Sequence, residues 1–165
     1  MKELILIRHA KSSWKDTSLK DFDRPLNKRG EKDAPFMAKI LKRLIKSPDL
    51  IISSPSKRTK LTLDFFIKEF KYKNEEIIFD KSIYEAPYIN LLKVIKNIDN
   101  KNKIAFLFGH NPGLNDLTNY LIDNFTENIP TSGILKINFD VKSWENIEEK
   151  SGNLEFFKYP KMLSI

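Results

Sequence analysis

The chain contains two histidines, His9 and His110, and each follows a short apolar run. His9 comes after Leu4-Ile5-Leu6-Ile7-Arg8, and His110 follows Lys103-Ile104-Ala105-Phe106-Leu107-Phe108 by one glycine. Apolar runs this short read as buried strands. Each histidine then stands at or just beyond the carboxyl end of its strand, the edge where open α/β sheets bind ligands. Arg58 comes after a third such run, Asp49 to Ser53, near the start of a helix. Arg8, His9, Arg58 and His110 thus converge on one sheet edge, although three separate segments supply them. Guanidinium beside imidazole repels a metal cation and attracts an anion. A neutral imidazole can attack phosphorus while a planar guanidinium fork holds phosphate oxygens. The same positive charges disfavour imidazolium and so keep His9 unprotonated. Neighbours in an extended strand point to opposite faces. Arg8 and His9 reach one pocket only if the strand ends at about Arg8.

The elements that must position these residues alternate. Leu4 to Ile7 predicts a strand, followed by a polar loop from roughly Lys11 to Arg24. Asn27 suits a helix N-cap. Ala34, Met37, Ala38, Leu41, Leu44 and Ile45 recur at helical spacing, and Pro35 predicts either a kink or a later start. Asp49 to Ser53 is a second strand. Ser54-Pro55-Ser56 opens a helix carrying Leu61, Leu63, Phe65, Phe66 and Phe70. Glu76 to Phe79 reads as a short strand, Ser82 to Tyr88 as a loop, and Leu91 to Ile98 as a helix. Lys103 to Phe108 is the clearest third strand. Gly109 to Gly113 turns sharply, and Leu114 to Phe125 reads as helical. Thr131 to Val141 alternates like a half-buried strand and pairs with Leu154 to Tyr159 through a turn near Ser151-Gly152. The prediction is an α/β protein, a three-layer α/β/α sandwich with a mostly parallel central sheet and an antiparallel edge. No linker or repeat divides it, so residues 1–165 read as one domain.

Bulk composition narrows the chemistry. With 41% hydrophobic and 31% charged residues, the chain can bury a core. It has no cysteine, which excludes disulfides, thiolate nucleophiles and cysteine metal sites. Two histidines flanked by arginines offer no compact metal-ligand set, so neither metal nor cofactor is expected. No apolar stretch is long enough to span a membrane, and the first residues do not read as a signal peptide. A cytoplasmic location is the simplest expectation. The formal net charge is +7. No tight basic run is interleaved with aromatics, so nucleic acid is not an expected partner. The positive field still recruits phosphoanions.

Four strings carry a resemblance. They are Leu6-Ile7-Arg8-His9-Ala10-Lys11-Ser12, Asp23-Arg24-Pro25-Leu26-Asn27 with Arg29-Gly30, Ser53-Ser54-Pro55 with Arg58-Thr59, and Gly109-His110-Asn111-Pro112-Gly113. In this order they resemble motifs of the histidine phosphatase superfamily, which is phosphoglycerate mutase-like. Within it they resemble the small SixA-like branch, described as phosphohistidine phosphatases. The resemblance implies a phosphohistidine intermediate on His9, with Arg8 and Arg58 clamping the phosphoryl oxygens. His110 would donate a hydrogen bond to phosphate. Asn111 and the helix start after it would offer backbone N–H groups, and Ser12, just past His9, would line the phosphate site. Glu85 lies where many family members carry the general acid, and Asp16, Asp21 and Asp23 are rivals. Ala10 replaces the family's usual glycine, which matters only if the position needs a positive φ. Arg24 reads as a residue that pairs with a carboxylate to pin the loop. Ser132 and Gly133 read as a packing site.

The expected function is therefore a metal-independent phosphatase acting through phosphohistidine. Its expected substrate is a phosphohistidine on another protein. The alternatives are a small-molecule phosphomonoester phosphatase and a phosphate-binding regulator without turnover. Phosphoglycerate mutases in the family carry insertions that cover the site. Here the interval between Arg58 and Glu85 is short, which suits an open pocket and a bulky substrate.

Overall fold

The computed structural model describes residues 1–163. In chain order it contains β1 (Lys2–Arg8), α1 (Lys28–Leu44), β2 (Leu50–Ser53), α2 (Lys57–Phe70), β3 (Ile78–Phe79) and α3 (Tyr88–Lys96). Then follow β4 (Ile104–Gly109), α4 (Gly113–Leu121), β5 (Ile134–Phe139), β6 (Gly152–Lys158) and α5 (Pro160–Leu163). The strands form one sheet in the order β3-β2-β4-β1-β5-β6. β3, β2, β4 and β1 run parallel, whereas β5 is antiparallel to both β1 and β6. The α/β/α sandwich with an antiparallel edge is as expected.

The apolar strands are buried on both faces, which explains why they read as continuous runs. Leu4, Leu6 and Leu107 pack with Leu91 of α3 and Leu114 and Leu117 of α4. Ile5, Ile7, Phe106 and Phe108 pack on the other face with Met37 and Leu41 of α1 and Phe66 and Phe70 of α2. Phe66 meets Phe108 edge-on at 5.1 Å, and Phe70 meets Phe106 at 5.2 Å. Such pairs contribute about 1 kcal/mol each beyond burial. Because α1 and α4 lie on opposite faces, the chain leaves β1 and β4 in opposite directions. The crevice between these two strands is the topological switch point, where open α/β sheets bind ligands.

Three details refine the sequence reading, each for a physical reason. α1 starts at Lys28, after the expected Asn27 cap, and runs through Pro35, so the later start does not occur. The Asn27 side chain accepts the Gly30 N–H at 2.9 Å and caps the start. Pro35 forfeits one bond, to the carbonyl of Glu31, a residue that faces water. α4 stops at Leu121 instead of near Phe125. The ammonium of Lys150 donates to the carbonyls of Asn119 and Ile122 and takes up the last turn's unpaired acceptors. β5 is buried on both faces over most of its length, Lys136 included. Lys136 Nζ is answered by Glu3 Oε1 at 2.7 Å and Glu155 Oε2 at 3.1 Å. Among the described residues no helix is long and apolar enough to cross a membrane.

Gly30 fixes how α1 meets the segment after His9. A Cβ at this position would overlap the Lys11 carbonyl oxygen and lie 3.0 Å from the Lys11 nitrogen. The Lys11 carbonyl also accepts the Asn27 N–H at 3.0 Å. Alanine would gain up to about 1 kcal/mol of helix propensity. Backbone against backbone cannot yield, so overlap of this kind costs about 3 kcal/mol. Gly30→Ala is expected to be destabilised by about 2 kcal/mol in urea unfolding. Unchanged stability would mean that α1 can slide away from Lys11 freely.

Candidate active site

Strand register brings the two histidines together. In the β1–β4 ladder Arg8 pairs with Gly109. His9 and His110 are therefore the next residue on each strand, side by side. Their ring centroids are 5.1 Å apart. β1 ends at Arg8, the condition for Arg8 and His9 to share a pocket. The His9 backbone is held on both sides, its N–H by the Gly109 carbonyl at 3.2 Å and its carbonyl by Ser132 N–H at 3.1 Å. On the far side of β4, Ser53 pairs with Phe108, so Ser54 comes level with Gly109, one residue before His110.

His9 Nδ1 lies 2.8 Å from the Ala10 carbonyl. A carbonyl only accepts, so the ring proton sits on Nδ1 and the lone pair on Nε2. The ring is neutral: burial first, then His110, Arg58 and Arg8, push its pKa down to about 3, against the pull of the Ala10 carbonyl. Ala10 is itself fixed, because its N–H donates to Thr62 Oγ1 at 2.8 Å. Thr62 in turn donates to the Arg58 carbonyl at 2.8 Å. Thr62 thus ties the nucleophile candidate to the first turn of α2. Ala10 is not among the residues with positive φ, and it packs with Leu26 and Ala34. Alanine is therefore accommodated there.

His110 sits between a donor and an acceptor. Arg58 Nη2 is 3.4 Å from its Nδ1, and Ser54 Oγ is 2.7 Å from its Nε2. A guanidinium only donates, so Nδ1 accepts and the proton resides on Nε2, directed at Ser54. Burial, then Arg58, push its pKa down to about 3, against the pull of Asp21.

Arg58 is 4% exposed. Its Nη1 donates to the Asp21 carbonyl at 2.8 Å, and its Nη2 to Asp21 Oδ2 at 3.1 Å. Arg8 Nη1 donates to the Ile129 carbonyl at 2.7 Å. Each arginine also buries an Nε–H that no protein atom accepts. The pocket therefore holds two guanidinium groups, two neutral imidazoles and donors in excess of acceptors. Such a balance suits an anion with several oxygens.

Asp21 is the one carboxylate built into this network. It accepts from Tyr84 Oη and Arg58 on Oδ2, and from Arg24 Nε and Nη2 on Oδ1 at 3.1 and 2.9 Å. Partial burial alone would raise its pKa. The donors Tyr84, Arg24 and Arg58 outweigh that and hold it well below the usual carboxylate range. Tyr84 is pushed up to about 12 by burial and by Asp21. Its ring stands edge-on to His110 at 5.4 Å.

The other sequence-derived candidates lie around this centre. Ser12 is buried and its Oγ accepts from Arg24 Nη1 at 2.8 Å. Arg24 does pair with a carboxylate, Asp21, and so pins the first loop. The Asn111 side chain donates to the Ile129 carbonyl at 3.0 Å and accepts Asn115 N–H at 3.0 Å. It thereby holds the carbonyl that orients Arg8. Glu85 is exposed, in a left-handed conformation with φ 50°, and no hydrogen bond among the described residues ties it to Arg8, His9, Arg58 or His110. Asp16 turns back on Ser18. Tyr84 and Thr62 did not emerge from the sequence, and Ser54 entered only within the string Ser53-Ser54-Pro55, without a role. Thr62 left one signal, its i+4 spacing from Arg58 on one helix face.

A family model for the histidine phosphatase superfamily (branch 1) matches residues 4–101. An uncharacterised chloroplastic protein of Arabidopsis thaliana is 56% identical over 62 residues, 38% of this chain and 28% of that protein. Phosphoserine phosphatase 1 of Hydrogenobacter thermophilus is 39% identical over 90 residues, 53% of this chain and 40% of that enzyme. Both alignments thus span less than half of the relative's length. A solved SixA protein from Agrobacterium tumefaciens superposes with a TM-score of 0.83 at 25% identity, over 96% of this chain and 98% of that one.

Proposed function

We propose that this chain, which belongs to the histidine phosphatase superfamily (branch 1) and has a SixA-like fold, hydrolyses phosphohistidine on protein substrates. The observation that carries the reading is the tautomer of His9, with Nδ1–H spent on Ala10 and an Nε2 lone pair left over. In the first step Nε2 attacks phosphorus, the bond from phosphorus to the substrate nitrogen breaks, and His9 becomes phosphorylated. In the second step water attacks the same phosphorus, and His9 and inorganic phosphate are released. Arg8 and Arg58 hold the phosphoryl oxygens, where charge persists through both transition states.

The leaving group favours nitrogen over alkyl oxygen. A phosphohistidine can take a proton from solvent on its other ring nitrogen near neutral pH and depart as neutral imidazole. An alkoxide needs an acid placed beside it. Here Asp21 is held ionised by its donors, and Glu85 stands exposed and outside the hydrogen-bonded cluster.

The test compares a phosphohistidine-bearing protein domain, a phosphoserine peptide and an aryl phosphate, all with chelator present. Turnover of the phosphohistidine domain is expected to exceed that of the phosphoserine peptide by roughly 10²-fold or more. Equal or inverted rates would move the protein to phosphomonoesters. Phosphate binding without turnover on all three would make it a regulator.

A further inference from the structure

We propose that Trp14 is a rigid docking platform for the polypeptide that carries the phosphoryl group; this rests on the protein-substrate reading above. Trp14 is 69% exposed, the most exposed large apolar side chain among the described residues. A lone exposed aromatic is unremarkable by itself. What distinguishes this one is its backing. The Arg24 guanidinium lies 3.5 Å from the ring centroid, stacked against one face of the indole.

That guanidinium is not free to drift. Arg24 is 6% exposed. Its Nε and Nη2 bond to Asp21 Oδ1, and its Nη1 bonds to Ser12 Oγ and, at 3.4 Å, to the Ser13 carbonyl. Asp21 then reaches Arg58 through its other oxygen. The indole is therefore joined to the phosphate-binding arginine through one carboxylate. Two residues before Trp14, Ser12 bridges to Leu26 and anchors the loop that leaves His9. One indole face is covered by Arg24, most of the side chain is open to solvent, and the chain Arg24–Asp21–Arg58 links it to the site. Rigid aromatics of this kind make strong interface anchors, because little freedom is lost on contact.

The surroundings point to the occupant. Lys11, Lys15 and Lys20 are exposed in the same loop, and its one exposed carboxylate before Asp21, Asp16, is engaged with Ser18. An exposed aromatic in a loop with three exposed lysines against two exposed carboxylates, Asp16 and Asp23, suits the acidic surface of a protein domain flanking a phosphorylated side chain. It gives nothing to a bare phosphate, which ends at the arginines.

Two measurements test this. The second tryptophan, Trp144, is fully buried and donates to the Asn102 carbonyl, so quenching of the protein's fluorescence by acrylamide reads Trp14. In His9→Ala, saturation with a phosphohistidine-bearing phosphotransfer domain is expected to reduce quenching at least threefold, and inorganic phosphate is expected to leave it unchanged. No protection by the domain, or equal protection by inorganic phosphate or by a nucleoside monophosphate, would overturn the platform. In turnover, Trp14→Ala is expected to lower the ratio of kcat/KM on the domain to that on an aryl phosphate at least tenfold, through KM, and Trp14→Phe to restore most of it. An unchanged ratio, or one that falls through kcat alone, would also overturn it. The two readings fail separately. If wild type leaves the domain phosphorylated while Trp14 is still protected, the platform stands and the phosphatase assignment falls. If Trp14→Ala hydrolyses the domain normally, the reverse holds.

Discussion

His9→Ala is expected to lower turnover by roughly 10⁴-fold or more on every phosphorylated substrate, because it removes the atom that forms the intermediate and not a group that stabilises one. Wild-type protein quenched during turnover should carry an acid-labile, base-stable phosphoryl group, and His9→Ala should carry none. The pH profile gives an independent reading. Burial first, and then His110, Arg58 and Arg8, push the His9 pKa down to about 3. The neutral form is the reactive one, so a lowered pKa moves the acid limb of kcat/KM to lower pH. An ordinary imidazole, with a pKa of about 6.5, would lose about 30-fold between pH 8 and pH 5. Here kcat/KM on an aryl phosphate, whose leaving group does not titrate in this range, is expected to stay flat once the substrate's phosphate ionisation near pH 6 is corrected for. A labelled His9→Ala protein, or a corrected limb near 6.5, would remove His9 from the role.

What the sequence could reveal was set by the range of the interactions. The strand ends were legible because an apolar run followed by Arg8-His9 or Gly109-His110 is a local pattern. Their meeting also depended on one long-range fact, the parallel register of Arg8 with Gly109. Topology supplies it without any local mark. The three first-loop acids looked alike for the same reason. Asp16, Asp21 and Asp23 differ little in their neighbours. Asp21 is singled out by Arg58 and Tyr84, 37 and 63 residues away. Tyr84 was invisible on the same grounds. Pro35 does not delay the helix start, because a single lost hydrogen bond on a solvent-facing turn costs less than the burial of Met37, Ala38 and Leu41 returns. Lys136 alternates with apolar neighbours and so reads as solvent-facing, yet Glu3 and Glu155 let it be buried.

Arg58 ties these long-range contacts to the chemistry, and its replacement should separate charge from geometry. Arg58→Ala is expected to lower kcat by roughly 10²–10³-fold, the scale for losing one fixed donor to a developing anion. Arg58→Lys should recover little of that. The lysine keeps the charge but has no fork that can hold Asp21 O and Asp21 Oδ2 together while facing His110 Nδ1. Asp21→Asn provides the contrast. It deletes the one carboxylate charge that the described residues place against Arg58, so inorganic phosphate should bind no more weakly than to wild type. It also removes the carboxylate shared by Arg24, Arg58 and Tyr84, so kcat should fall about tenfold as the guanidinium loses its fixed direction. Calorimetric titration with phosphate, set beside kcat for all three variants, reads both effects. If charge alone mattered, Arg58→Lys would behave as wild type and Asp21→Asn would turn over faster. If geometry decides, phosphate affinity and turnover move apart in Asp21→Asn. That separation would place the catalytic contribution of Arg58 in its orientation, which the first loop sets from 37 residues away.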